Sequence, residues 1–446
     1  MVHAMRARLL PLGLLFCASL AHAQLGLPSV RVPQLPGAAV PALLPGLTLD
    51  PDKSAAQLAT EVDPHELAQL RSLRIRALLR THGDVLEADP HGAPMVRGEV
   101  LALAPQPLSL EAAAAAGFSV RREWTLPALD LKVVVLHVPS GTARALKRLR
   151  GLDPGGAYDF NHVYSDSGSW DSVAARRAPA GADPPAATDE TARSIGLIDS
   201  GVAADHEVFA GLAIHPHGCA DRPVPAGHGT AVASLLVGRA AALHGAAPGA
   251  ALFAADVFCG QPTGGAVDAV AEAFEWLLQQ RVAVINVSLV GPPNRVLESV
   301  VRSALARGHL IVAAVGNDGP AAVPLYPAAW PGVVGVTAVD ARQRVLVEAE
   351  RGPQVKFAAP GADLAAAALP HGYALVRGTS FAAPIVAGLL ARELPAPDIA
   401  AAQAAVATLA QRALDLGSPG LDPVYGYGLV GAELRNQPAL AAARGH

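Results

Sequence analysis

One aspartate, one histidine and one serine stand in three glycine-flanked segments of this chain. Ile195 to Gly201 closes on Asp199-Ser200-Gly201, His228 lies between Gly227 and Gly229, and Ser380 lies in Gly378-Thr379-Ser380-Phe381-Ala382-Ala383-Pro384. A charge-stabilised nucleophile needs a hydroxyl to attack, an imidazole to take its proton, and a carboxylate to orient the imidazole and stabilise its cation. Taken singly, each residue has an ordinary explanation. An aspartate after a strand caps a backbone amide, a histidine at a helix start can be satisfied within the cap, and a serine can open a buried helix. Asn317 adds a fourth element, a short amide side chain in a glycine turn after the apolar run Ile311 to Val315. Such a group suits donation to an oxyanion, its ordinary alternative being a left-handed turn residue.

The elements that must position these residues are legible in the pattern. After Arg193 the apolar runs Ser194 to Ile198, Ala251 to Phe258, Val282 to Leu289 and Leu310 to Val315 alternate with helical stretches at Ala266 to Gln280 and Arg295 to Arg307. Runs that are apolar throughout suit strands buried on both faces, and their alternation with helices predicts a doubly wound, mostly parallel α/β sheet. In such sheets ligands bind beyond the carboxyl ends of the strands. Asp199, Ser288 and Asn317 each close or follow a strand, so they should gather at one sheet edge, with His228 and Ser380 opening helices beside them.

Upstream, residues 97–164 read as strand, helix, strand, strand, helix, strand, the order of a small split βαβ unit of ferredoxin-like α+β type. Residues 24–96 form a Pro-rich leader followed by a helical pattern from Lys53 to Thr81. Residues 165–191 are dense in Ala, Pro, Ser, Gly and Asp, with Arg176 and Arg177 among them, and read as an exposed, cleavable linker before a domain at 192–446.

The formal net charge of -4, with no long basic run, argues against nucleic acid or an anionic membrane and for a polypeptide partner. Residues 1–23 read as a secretory signal with cleavage before Gln24, and no later apolar run suits a transmembrane segment. A lipoprotein reading of Cys17 fits poorly behind Phe16. Loss of Cys17 with the signal leaves Cys219 and Cys259, for which an oxidising compartment makes a disulfide worth about 3 to 4 kcal/mol the natural expectation. Two buried thiols that never meet are the alternative.

Together the four segments resemble the subtilisin-like serine proteases (subtilases), over about residues 192 to 432. The resemblance matches Asp199 to the triad aspartate of Asp-Ser/Thr-Gly, His228 to the histidine of His-Gly-Thr, Ser380 to the nucleophile of Gly-Thr-Ser-x-Ala-x-Pro, and Asn317 to the oxyanion-hole asparagine. The order Asp, His, Ser is also that family's, whereas an α/β-hydrolase would run Ser, Asp, His. Val284 to Leu289 resembles the strand that leads into the substrate-binding segment, and Tyr326 to Pro331 the stretch after the specificity pocket. The substrate-binding residues it implies are Ser288, Leu289, Val290, Gly291, Ala313, Ala314, Val315 and Gly316. Those walls imply an apolar, small to medium side chain before the scissile bond, with Asp318 as the feature that would attract a basic one. Val290 departs from the family's glycine and narrows the cleft. Residues 97–164 are similar, more weakly, to the family's inhibitory propeptide.

The resemblance implies a secreted or periplasmic serine endopeptidase, made as a zymogen, monomeric, with a polypeptide substrate and its own propeptide as partners. The cleavage expected to release it falls within Tyr164 to Ser169, with Arg176-Arg177 as a later trimming site. No cofactor or metal ligand is assigned. Calcium is common in the family, yet no loop of clustered, alternating Asp and Asn near the motifs names a site for it. Two alternatives stay open: a self-processing maturation protease for one dedicated partner, and a non-catalytic binding module on the same fold.

Overall fold

The computed structural model describes residues 64–138, 141–166, 168–170, 193–240 and 243–439. The expected signal at 1–23, the leader before residue 64 and the Arg176-Arg177 pair lie outside these residues. The described chain begins with helix α1 (Pro64–Thr81) and short strand β1 (Leu86–Ala88). A small α+β unit follows: β2 (Pro94–Leu103), α2 (Pro107–Ala115), β3 (Ser119–Leu126), β4 (Leu131–His137), α3 (Thr142–Leu152) and β5 (Ala157–Asp166). Its strands are antiparallel in the order β5-β2-β4-β3. Successive side chains of a strand point to opposite faces, and here both faces are apolar. Val100, Ala102, Val134 and Leu136 pack on Ala113, Leu146 and Leu149 of the two helices. Leu101, Leu103, Val133 and Val135 face the other way, into a core shared with the larger domain.

That domain opens after β6 (Gly168–Trp170) with β7 (Ser194–Asp199) and β8 (Ile214–His217), followed by α4 (Gly227–Val237), β9 (Ala251–Asp256), β10 (Gly265–Ala266) and α5 (Val267–Gln279). It continues through β11 (Val284–Val287), β12 (Leu289–Val290), α6 (Arg295–Leu305), β13 (Leu310–Ala314), β14 (Val334–Val339) and β15 (Val355–Pro360). Then follow β16 (Leu364–Ala367), β17 (Tyr373–Gly378), α7 (Thr379–Glu393) and α8 (Ile399–Arg412). Seven strands form one parallel sheet in the order β15-β14-β13-β11-β7-β9-β8. Helices α4, α7 and α8 cover one face, and α5 and α6 cover the other. The chain leaves β7 toward one side of the sheet and returns at β11 toward the other, so the β7/β11 pair is the switch point where a crevice opens. Asp199 ends the first of these strands and Ser288 follows the second.

Two boundaries differ from the pattern reading. The apolar run through Leu289 breaks after Val287, because Leu289 and Val290 leave the parallel sheet to pair with Asp166 and Ser165. The linker does not begin at residue 165 either. Ser165 and Asp166 extend β5, and Gly168–Trp170 pair with β17. Composition measures what a segment can bury by itself, and this one is ordered by hydrogen bonds to strands elsewhere in the chain. Cys219 and Cys259 form a disulfide, with a Cα separation of 5.2 Å, between the turns after β8 and β9. No helix among the described residues is long and apolar enough to cross a membrane.

Candidate active site

Asp199 is fully buried at the end of β7, and its Oδ1 accepts from His228 Nδ1 at 2.8 Å. The same oxygen accepts from the Ser200 amide at 2.7 Å, which fixes the carboxylate before it meets the ring. Ser200 Oγ in turn accepts from the Gly229 amide at 2.9 Å, and Thr230 Oγ1 accepts from the Ala203 amide at 3.1 Å. The turn after β7 is thereby tied to the first turn of α4, which carries His228. Gly229 permits this approach, since a side chain there would run into Ser200.

Ser380 is the second residue of α7, close to the positive end of the helix dipole. Its Oγ donates to the Ser288 carbonyl at 3.2 Å, and Ser288 Oγ donates to the Ser380 carbonyl at 2.9 Å. Asn286 Nδ2 donates to that Ser288 hydroxyl at 2.9 Å. The histidine ring lies 5.3 Å, centroid to centroid, from the ring of Phe381, the residue after the serine. His228 Nε2 is buried and has no hydrogen-bond partner among the described residues, which leaves it open to accept a proton. Asn317 Oδ1 accepts from the Thr379 amide at 3.1 Å, while Asn317 Nδ2 is buried without a partner among the described residues. A donor held in place by its own oxygen, with its N–H groups unsatisfied, is what a developing oxyanion requires.

Burial pushes the His228 imidazole down, but the charge and hydrogen bond of Asp199, with a further contribution from Asp166, outweigh it and carry its pKa up to about 9.

The cleft is occupied by the chain itself. β5 has β10 on one side, through Tyr164–Gly265 and Val163–Ala266, and β12 on the other, through Ser165–Val290 and Asp166–Leu289. Two residues further on, Gly168 pairs with Gly378, two residues before Ser380. Both ladders, followed toward each other, converge on Ser288 and Thr379, the neighbours of the serine. Val290 therefore takes part in a backbone ladder despite its bulk.

Of the other expected substrate-binding residues, Leu289, Ala313 and Val315 are packed in the core on the α5/α6 face, and Ala314 in the core on the opposite face. Gly316 lies against the site: its amide donates to Thr379 Oγ1 at 3.2 Å. Gly291 pairs with Tyr326 across the cleft's far wall. Two contributors went unread in the sequence: Asn286 and Asp166. Asn286 carried a signal, a lone amide in the run Val284-Ile285-Asn286-Val287. Cys219, Asp256 and Cys259 are clustered ligand types, but both sulfurs are committed to the disulfide.

Fold and site define the class: a doubly wound α/β protein with a hydrogen-bonded histidine–aspartate pair whose imidazole lies against Phe381, the residue after Ser380. The chain belongs to the subtilase family, whose pattern it matches over residues 191–428. It is 32% identical to subtilisin DY of Bacillus licheniformis over 251 residues, which is 54% of this chain and 90% of that protein. It is likewise 32% identical to the minor extracellular protease Epr of Bacillus subtilis (strain 168) over 208 residues, 46% of this chain but only 32% of that one. Among solved structures it shares the fold of fervidolysin from Fervidobacterium pennivorans, described as a keratinolytic enzyme related to subtilisin. There the TM-score is 0.61 and the identity 20%, over 76% of this chain and 61% of that one.

Proposed function

We propose that this subtilase is a secreted or periplasmic serine endopeptidase made as a zymogen, in which residues 97–164 are an inhibitory propeptide and residues 165–170 its self-cleavage segment. His228 Nε2 takes the Ser380 proton as Oγ attacks the peptide carbonyl, Asp199 stabilises the imidazolium, and Asn317 Nδ2 with the Ser380 amide holds the oxyanion. The imidazolium returns its proton to the leaving amine, and water then hydrolyses the acyl-enzyme. The observation that carries the reading is the pair of ladders on either side of Ser380, one ending at Asp166 and the other beginning at Gly168. A polypeptide laid as an added strand is how an extended substrate binds at an exposed edge. On this reading the first cut falls at the bond between Ser167 and Gly168.

The two-faced sheet supports the propeptide role, since it needs the larger domain to cover its second face. The docking is specific: Glu275 accepts from the Ala128 and Leu129 amides at 2.7 and 3.2 Å, and Asp159 accepts from the Arg295 amide at 2.8 Å at the start of α6. Ser380→Ala should accumulate as full precursor, and the wild-type product should begin at Gly168 on N-terminal sequencing. Loss of the serine costs about 10⁶ in turnover in enzymes of this type, so any residual processing should be undetectable. Equal processing of both chains, or failure of a fluorophosphonate to label the wild type, would leave a binding module as the better reading.

A further inference from the structure

Against Gly316, whose amide donates to Thr379 next to the serine, lies a carboxyl group that the hydrolytic machinery does not use. Glu350 is 1% exposed. Its Oε2 accepts from the Leu325 amide at 3.2 Å, while Oε1 is buried with no hydrogen-bond partner among the described residues. A Cβ at Gly316 would lie 2.7 Å from that Oε1 and 2.9 Å from Leu325 Cδ1. The bare glycine is therefore what lets Glu350 and Leu325 reach the strand end beside the oxyanion asparagine. Leu325 precedes Tyr326, whose pairing with Gly291 closes the cleft's far wall.

Asp318 follows Asn317 and is mostly buried at the same place, its side chain 14% exposed. It is paired with a guanidinium, that of Arg71 in helix α1, 247 residues away in sequence. A cation is thus already seated at this position, delivered by the leader.

Resting on the protease reading above, we propose that Glu350 and Asp318 make the pocket for the side chain preceding the scissile bond selective for arginine or lysine. Arg71 holds the pocket's charge in the precursor. This replaces the apolar preference implied by the flanking walls, because Ala313, Ala314 and Val315 are packed in the cores, whereas Gly316, Leu325, Asp318 and Glu350 meet next to Asn317.

Burial pushes the Glu350 carboxyl up to about 9, with the Asp318 charge adding to the rise and the Leu325 amide and Arg71 opposing it. A buried carboxyl with one unpartnered oxygen next to a second carboxyl is a site short of donors, and a guanidinium, with five N–H groups, can donate to both. The sequence has serine at 167, before the proposed first cut. A small residue there is compatible with the pocket's charge being met by Arg71 in the same molecule.

The test uses the self-processed full-length protein and peptide substrates identical except for arginine, its neutral isostere citrulline, or leucine before the scissile bond. A site built around a buried charge should favour arginine over citrulline in kcat/KM by roughly 100-fold. In Glu350→Gln that ratio should fall by about tenfold or more, and in Asp318→Asn it should fall as well. The wild-type ratio stands as a test even if a variant fails to fold. Cleavage of the leucine peptide with no preference for arginine over citrulline overturns the pocket assignment and leaves the protease reading intact. Cleavage of none of the peptides, with no fluorophosphonate label on Ser380, overturns both.

Discussion

On the zymogen reading proposed above, Asp166 is the side chain through which the precursor would act on its own catalytic base, and Asp166→Asn isolates that action. In the precursor the His228 pKa stands at about 9, against an ordinary value of 6.5, with Asp166 a weaker contributor than Asp199. A carboxylate near an imidazole shifts it by about 1 to 3 units, so removing the weaker of two is worth about 1 unit, or about 1.4 kcal/mol. Self-cleavage needs the neutral ring. At pH 7 a base with a pKa near 9 is neutral in about 1 molecule in 100, and one near 8 in about 1 in 10.

The variant should therefore process about tenfold faster at pH 7, with the two rates converging above about pH 10. The assay is the first-order loss of freshly folded precursor on gels between pH 6 and 10, repeated at two concentrations to establish that the cut is intramolecular. The midpoint is the informative quantity, since the substitution also changes a residue of the cleaved segment and can scale the whole curve. An unshifted midpoint would refute the reasoning. The sign for stability follows from the same shift. A histidine raised in the folded state contributes fully below about pH 6.5 and loses that contribution as pH rises through about 9, so the segment's hold on the cleft should weaken in alkali.

Asn317→Ala should lower kcat by about 10² to 10³ on a fluorogenic peptide with little change in KM, because its Nδ2 is needed only when the oxyanion forms; a change confined to KM would count against that role. Replacing both Cys219 and Cys259 with serine opens a loop whose ends are 40 residues apart in sequence. The expected loss is about 4 kcal/mol, seen as a fall of roughly 10 °C in Tm by calorimetry, and an unchanged Tm would show that the loop is held by its other contacts.

How much of this was legible can be judged residue by residue. Asp199 was readable because it ends a short apolar run and stands before a glycine, and the turn it makes is local. His228 and Ser380 were readable for the same reason, since each opens a helix from a glycine. Asn286 was half-legible, an amide among branched apolar residues, but its task of holding Ser288 beside Ser380 depends on a strand and a helix 92 residues apart. Ser165 and Asp166 looked like the start of a polar linker, yet they are strand, because their backbone groups find β12.

The sequence by itself determined the periodicities of the strands and helices and the glycine turns at their ends, and with them the sheet edge at which an acid, a base and a nucleophile could meet. Those features depend on neighbours a few residues away, where backbone sterics and side-chain alternation act directly. Tertiary structure alone decided that residues 165–170 pair with strands on either side of Ser380, that the Asp166 charge reaches His228, and that Glu350 is buried. Within Glu348-Ala349-Glu350-Arg351 a carboxylate reads as solvated surface. Its desolvation comes from Gly316, Leu325 and Asp318, residues that only the fold brings together, and the free energy of a charge is set by what surrounds it rather than by what precedes it in the chain.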